Sequence, residues 1–307
     1  MGKFYKDYAD FLAEHFEGKM QKLTVNAGFG CPNRDGTIGR GGCAYCNNAS
    51  FSPDIGAQGS VAVQLERGKL FFERKYPQMR YLAYFQSYTN THGDRARLME
   101  LYREALEVDK VDGLIIGTRP DCVDDGLLAD LAAIGKPVIM EYGAESSHDS
   151  TLAIVNRCHT WAQTVDAVRR TVEAGLPVGV HLIMGLPGET REMMLQTVER
   201  AAALPIDTLK LHQLQIIRNT TLERETVTAP DGAMTFRGVP LRLFGVEEYI
   251  ELCADVVALL RCLNPSIAIE RFTSQSPDSL LVAPRWGLKN YQFANLLTNR
   301  LRNSTVD

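Results

Sequence analysis

Apolar residues occur along this chain in short unbroken runs, each followed by a longer stretch where they recur every three or four positions. The runs read as strands: QKLTVNAG (21–28), MRYLAYF (79–85), DGLIIGT (112–118), PVIMEYG (137–143), PVGVHLIMG (177–185) and DTLKLHQLQII (207–217). Their Val, Ile and Leu cores show little polar alternation, which suits strands covered on both faces. Between them LERGKLFFERKY, DRARLMELYREALEV, DDGLLADLAAIG, TVDAVRRTVEAG and REMMLQTVERAAAL carry helical spacing. Several stop at Gly or before Pro. Six strands alternating with helices predict a parallel sheet with right-handed crossovers. Six is short of the eight of a closed barrel. Periodicity alone fits an open barrel of six β/α units as well as a doubly wound sheet.

A helix is expected before residue 20. After about residue 218 the rhythm changes to a loop (RNTTLERETVTAPDGAMTFRGVP), a long helix (GVEEYIELCADVVALLRCL), a strand (SIAIERFT) and a last helix (KNYQFANLLTNRLR). The chain therefore reads as a core over residues 1–218 and a C-terminal α/β extension, 219–307, packed on that core.

Composition narrows the function. The 45% apolar content of the 307 residues is enough for a sizeable core. A formal charge of −4 confines any nucleic-acid contact to a local patch. No run of eighteen apolar residues predicts a membrane span. The N-terminal MGKFYKDYADFLAEHF lacks the apolar stretch of a secretory signal, and Lys6 stands where myristoylation needs Ser or Thr. A cytoplasmic protein is expected. Seven cysteines without an export signal argue for free or metal-bound thiols. Cys122, Cys158, Cys253 and Cys262 stand singly and read as small core residues.

The other three lie together in CPNRDGTIGRGGCAYC, where Cys31, Cys43 and Cys46 are spaced x11 and x2. Cys43 and Cys46 would make half of a structural zinc site, completed from afar by His15 or His92. Alternatively, three thiolates hold a [4Fe–4S] cluster and leave one iron open, since such clusters are normally fully ligated. Glycines at 36, 39, 41 and 42 suit a loop that wraps a compact cluster. The loop also begins where the first strand ends, the usual location of active sites in β/α folds. GFGCPN is not a dinucleotide fingerprint, because Asn33 occupies the third glycine position.

The three cysteines, with YFQSYTNT (84–91), GTRPDC (117–122), NRCHT (156–160), HLIMGLPGET (181–190), LKLHQLQIIRNT (209–220), ERFTSQSP and APRWGLKNY, resemble the radical SAM superfamily. The long x11 spacing is similar to the YhcC/YtqA-type (MnmL-like) family, related to the elongator catalytic subunit and oxygen-independent coproporphyrinogen oxidase. The match spans nearly the whole chain. It implies a partial (β/α)6 TIM-like barrel, a [4Fe–4S] cluster on Cys31, Cys43 and Cys46, and S-adenosylmethionine on the fourth iron. A flavodoxin- or ferredoxin-type donor would reduce the cluster, and sulfonium cleavage would give a 5′-deoxyadenosyl radical. By the same resemblance Tyr45 lies near adenine, and Gln86 and Ser87 near the methionine amine. Arg119 and Arg157 are candidates for carboxylate and ribose oxygens, as guanidinium forks allow. Glu145 stands where relatives carry Gln, while His181, Gly185 and Leu186 lie in the segment that passes adenine and ribose.

For the substrate, Lys210, His212 and Gln213 lie on the sixth strand, whose C-terminal end would face the cavity. The tail 271–302 sets Arg271, Arg285, Lys289, Arg300 and Arg302 against one acidic residue, Asp278, with Phe272, Trp286, Tyr291 and Phe293 interleaved. Such a pattern suits RNA, although an amphipathic helix packed by its aromatics has the same spacing. The resemblance points to tRNA, at the C5 carboxymethylaminomethyl group of wobble uridine on the route to aminomethyluridine. A small metabolite or porphyrin-like substrate remains an alternative, as does a zinc-bound interaction module without catalysis.

Overall fold

A computed structural model describes residues 3–50 and 59–303. In chain order the helix α1 (Tyr8–His15) precedes β1 (Met20–Val25), a single turn α2 (Pro32–Asp35) and α3 (Val61–Glu73). Strands and helices then alternate as β2 (Arg80–Phe85), α4 (Arg95–Glu107), β3 (Val111–Thr118), α5 (Asp125–Ala132) and β4 (Val138–Glu145). The pattern continues with α6 (Asp149–Ile154), α7 (Trp161–Glu173), β5 (Val178–Met184), α8 (Arg191–Ala202) and β6 (Thr208–Gln213). The rest comprises β7 (Ile216–Ile217), α9 (Thr221–Glu225), β8 (Thr226–Thr228), β9 (Met234–Phe236), β10 (Val239–Leu241), α10 (Val246–Leu263), β11 (Ala268–Arg271), β12 (Leu281–Ala283) and α11 (Asn290–Asn303).

The helices start where their sequences provide caps. Ser60, Asp94, Asp124, Thr160 and Thr190 each accept the N–H three residues on, opening α3, α4, α5, α7 and α8. Each such cap contributes about 1 kcal/mol. The large sheet runs β1-β2-β3-β4-β5-β6-β11, every pair parallel. Strand order follows chain order without reversal, so the doubly wound alternative falls away and a curled half-barrel remains.

Alternation along each strand sorts side chains between the two faces. On β2, Tyr81, Ala83 and Phe85 join the outer core beneath the helices, while Leu82 and Tyr84 point into the barrel. There they meet Ile115, Ile139, Ala268 and the apolar face of α1, led by Phe11 at 1% exposure. The first helix therefore plugs the N-terminal end of the barrel. The segment leading to it runs beside β11: Ile269 donates its N–H to the Lys6 carbonyl (2.8 Å).

Three features depart from the sequence reading. The run 207–217 breaks after Gln213, because β5 ends in a turn at Gly185 and no longer offers a partner. Ile216 and Ile217 pair instead with β12, antiparallel. The expected loop after 218 holds α9 and a three-stranded antiparallel sheet, β8-β9-β10. Its three-residue strands are too short to show a period, though Arg237-Gly238, both at positive φ, form the tight turn between β9 and β10. The isolated cysteines also divide: Cys253 is buried, but Cys158 and Cys262 are exposed and Cys122 is half-buried.

Truncating the plug tests its contribution. Phe11→Ala is expected to lower stability by about 3–5 kcal/mol, read as a shifted urea midpoint; an unchanged midpoint would mean α1 is not part of the cooperative core.

Candidate functional site

The first β–α connection carries the thiols. Cys31 stands immediately before α2, with Pro32 at the first helical position, where a missing N–H costs nothing. Gly36, at φ 94°, ends the turn in a conformation L side chains avoid. The chain then doubles back: Ile38 and Gly39 donate to the Pro32 carbonyl (2.9 and 3.1 Å), and Gly42 donates to that of Asn33 (2.8 Å). This return lets eleven residues separate Cys31 from Cys43 while both thiols, with Cys46, line one cavity.

Side-chain amides anchor the loop. Buried Asn33 donates to the Asn156 carbonyl (2.6 Å). Asn156, at φ 54°, donates in turn to the carbonyls of Arg40 (3.1 Å) and Gly42 (2.8 Å). Ala44 is held on both sides, donating to Val155 and accepting from Leu222, each at 2.8 Å. A Cβ at Gly39 would lie 2.2 Å from Asn33 Oδ1 and 2.9 Å from Cys158 Sγ, so loop and turn touch where only glycine fits.

Two guanidiniums flank the thiols. Arg157 Nη1 lies 3.5 Å from Cys43 Sγ, and Nη2 donates to the Gly143 carbonyl (2.5 Å) and faces Glu145 Oε1 at 3.6 Å. A Cβ at Gly143 would sit 2.6 Å from Glu145 Oε1 and 2.7 Å from that Nη2, so any side chain there would displace this pair. Glu145 itself occupies a bulge at φ 69°, and burial raises its carboxyl pKa although Arg157 pulls the other way. Arg119 is forked onto Asp121 (2.9 and 2.8 Å). That leaves Arg119 Nη1, Arg157 Nε and the Tyr45 hydroxyl buried without protein partners. Burial, reinforced by the neighbouring Cys43 thiol, pushes the Cys46 thiol up to about 11, while Arg34 acts in the opposite direction. Thiols so crowded become thiolates together only beside cations, which iron ligation supplies. The Asn33 and Arg157 N–H groups near Cys43 are the kind of donor that tunes cluster sulfur. The donor set fits a three-thiolate cluster.

Below the thiols the barrel interior is charged. Lys22 (β1) bridges Glu141 (2.9 Å) and Glu270 (2.8 Å), and Lys210 (β6) bridges the same carboxylates at 3.0 and 2.7 Å. Lys210 also donates to the Tyr84 hydroxyl (3.1 Å). His181 Nε2 meets Glu141 Oε2 at 2.7 Å. Burial alone would raise Glu141, but Lys210 and Lys22 hold it well below the usual carboxylate range. Burial lowers the Lys210 pKa, and the ion pairs with Glu141 and Glu270 oppose that shift. His181 is pushed down to about 4 by burial and then by Lys210, and His212 falls well below its ordinary value through burial and Arg271. Both imidazoles are neutral at pH 7.

The cavity encloses about 1190 Å³, counted out to its open mouth. It is lined by Cys31, Cys43, Cys46, Tyr45, Gln86, Arg119, Glu145, Arg157, His181, His212, Gln213 and Arg271, so most of the expected site residues converge. Ser87 is buried outside that lining, and Lys210 acts through the charge network. Gly185 and Leu186 are not brought in: Gly185 abuts the Phe244 ring, and Leu186 belongs to the apolar cluster with Ala44, Phe236 and Leu241. Gln213 is engaged by Ser274, accepting from its N–H (2.6 Å) and donating to its carbonyl (3.1 Å).

Three of the four aromatics in the tail pack as a core, and the fourth, Tyr291, is exposed. Phe272 and Phe293 are buried, and Trp286 stacks on Phe293 at 5.9 Å beside Tyr249. Arg300 pairs with Glu251, and Arg285 donates to the Leu281 carbonyl, whereas Arg271 turns into the cavity. The proposed zinc ligands are elsewhere: His15 bonds the Phe11 carbonyl and His92 bonds Asp35. Among the described residues, no three His, Cys, Asp or Glu side chains converge to hold one metal ion. Sequence reasoning missed Asn33, Asn156, Lys22, Glu141 and Glu270. The last three had a signal, a charge inside an otherwise apolar strand.

Residues 25–201 match the Radical SAM superfamily, and 206–303 match the Radical_SAM C-terminal domain. The chain belongs to the radical SAM superfamily, enzymes that use a [4Fe–4S] cluster and S-adenosylmethionine and draw an electron from a reductant. It is 36% identical to Protein YhcC of Escherichia coli (strain K12) over 278 residues, 90% of this chain and 85% of that protein. It is 30% identical to YtqA of Bacillus subtilis (strain 168), covering 95% and 88% of the two chains. A shorter stretch, 112 residues or 36% of this chain, is 28% identical to a tRNA uridine(34) acetyltransferase of Methanocaldococcus infernus and covers 21% of it. The fold resembles archaeal Elp3 of Methanocaldococcus infernus with TM-score 0.63 at 14% identity, over 94% of this chain and 63% of that one. Among the described residues no helix is long and apolar enough to cross a membrane.

Two measurements follow. Anaerobic reconstitution should give about four irons and four sulfides per chain, with Cys46→Ala losing the brown chromophore; one zinc and a colourless protein would contradict the cluster. His181 carries an acid-stability term. Its pKa is about 4 folded and 6.5 otherwise, so between those values the unfolded chain binds more protons and stability falls as pH drops. His159, pushed to about 2 by burial, acts in the same direction. Glu141 adds a loss below its ordinary 4.5. His181→Gln should flatten the denaturant-midpoint profile between pH 6.5 and 4; an unaltered slope would exclude it.

Proposed function

We propose that this chain is a radical SAM enzyme that modifies tRNA at the C5 side chain of wobble uridine, taking carboxymethylaminomethyl to aminomethyl. The observation that carries this reading is the partial likeness to a protein whose name specifies tRNA uridine 34, beginning from a chain that already carries the superfamily's three thiols. The fold likeness to archaeal Elp3, at 14% identity, supports the barrel architecture alone. The cavity mouth also suits RNA. Tyr88, exposed and held at φ 61°, presents a ring with the Arg34 guanidinium 6.0 Å from its centroid. An aromatic face beside a cation is a base-stacking platform.

When bound, the cluster and S-adenosylmethionine supply reductive cleavage of a sulfonium and a hydrogen-abstracting adenosyl radical. The protein's own residues do the rest. Cys31, Cys43 and Cys46 would hold the cluster iron, and the unpartnered N–H groups of Arg119 and Arg157 would receive the methionine carboxylate of S-adenosylmethionine. Tyr45 packs toward adenine, with Glu145 for ribose hydroxyls and Gln86 at the amine. His181, His212, Gln213 and Arg271 form the wall that meets the substrate. Residues 1–218 supply the cofactor side and 219–307 complete the substrate side. A flavodoxin- or ferredoxin-type protein delivers the electron, in the cytoplasm.

The test is a nucleoside profile by mass spectrometry of tRNA from wild-type and Cys46→Ala strains. Carboxymethylaminomethyluridine should accumulate in the variant at the expense of aminomethyluridine. Identical profiles would remove tRNA while leaving radical chemistry intact.

A further inference from the structure

We infer that Arg271, packed against His212, is a specificity subsite for a single carboxylate on the substrate; the substrate's identity as tRNA rests on the reading above. Charge balance in the cavity leads here. Lys22 and Lys210 are matched by Glu141 and Glu270, Arg119 by Asp121, and Arg157 by Glu145. Arg34 lies on the rim, donating to the Cys46 carbonyl. Among the described residues no carboxylate pairs with Arg271. Its Nη2 rests 3.2–3.3 Å from the two ring nitrogens of His212, and its Nε is buried with no partner at all.

An uncompensated guanidinium in a partly desolvated wall is costly, and one monoanion restores neutrality. The planar fork matches a carboxylate in two parallel hydrogen bonds. His212 cannot supply a second positive charge, since burial and Arg271 itself keep it neutral, so a singly charged group suits the site better than a phosphate dianion. Placement argues for the substrate rather than the methionine carboxylate of the cofactor. Arg157 touches Cys43 Sγ, whereas Arg271 stands on β11 against His212 of β6.

Two arms test this. In the first, cluster-loaded, S-adenosylmethionine-bound protein is titrated with ¹³C-acetate or with inorganic phosphate, and binding is read by NMR line broadening. Acetate should bind wild type about ten- to a hundredfold more tightly than Arg271→Ala. Arg271→Lys should recover part of the difference as a point charge. Equal acetate binding by wild type and Arg271→Ala, or preference for phosphate, would overturn the subsite. So would a tenfold loss of S-adenosylmethionine affinity in Arg271→Ala, which would assign the guanidinium to the cofactor.

In the second arm, anticodon stem–loops bearing carboxymethylaminomethyluridine or its carboxamide are compared. Wild type should favour the acid by about ten- to a hundredfold in kcat/KM, and Arg271→Ala should lose the preference. Retained preference would refute the assignment. If wild type consumes neither RNA yet cleaves S-adenosylmethionine, the tRNA reading fails and the acetate titration alone decides the subsite.

Discussion

Everything at this site depends on a loop that the sheet cannot hold. A parallel strand is secured along its whole length by its neighbours, but the thiol-bearing connection after β1 leaves the ladder at Val25. Its geometry is instead fixed by two amides on facing turns: Asn33 donates to the Asn156 carbonyl, and Asn156 donates to Arg40 and Gly42. The same turn delivers Arg157 to Cys43. The thiol loop and the Arg157 guanidinium are thereby positioned by one set of bonds. Ala44, bonded to Val155 and Leu222, extends this anchoring to the C-terminal third of the chain.

The second organising element is the set of charges inside the half-barrel. Lys22 on the first strand and Glu270 on the last reach across the open side, between strands that do not pair with each other in the sheet. Four ionised groups in low-dielectric surroundings are tolerable because they are mutually bonded. Removing any one would leave its partners exposed to the full desolvation cost. Burial, and after it Lys210, pushes the His181 pKa down to about 4, so that wall presents hydrogen-bonding groups without added charge.

How much of this was readable in the chain varies with physical cause. The six leading strands were plain because both faces are buried, which leaves long runs of Val, Ile and Leu. The short strands β8 to β10 gave no period at three residues each, and only their glycine turns hinted at a hairpin. Spacing located the three thiols but not the amides that hold them, since Asn is an ordinary turn residue. Basic and aromatic residues in the tail suggested RNA, yet Phe272, Trp286 and Phe293 form a helix-packing core; one-dimensional spacing does not distinguish those outcomes. The resemblance marked Arg119 as a candidate for carboxylate and ribose oxygens but did not show that Asp121, two residues on, engages its Nε and Nη2 and leaves Nη1 without a partner.

The plug formed by α1 gives the half-barrel a packed floor at its N-terminal end. Phe11 and its neighbours fill the N-terminal end beneath Tyr84, while the thiols line the cavity above. A group held against the thiols therefore rests between that packed floor and the mouth of the cavity.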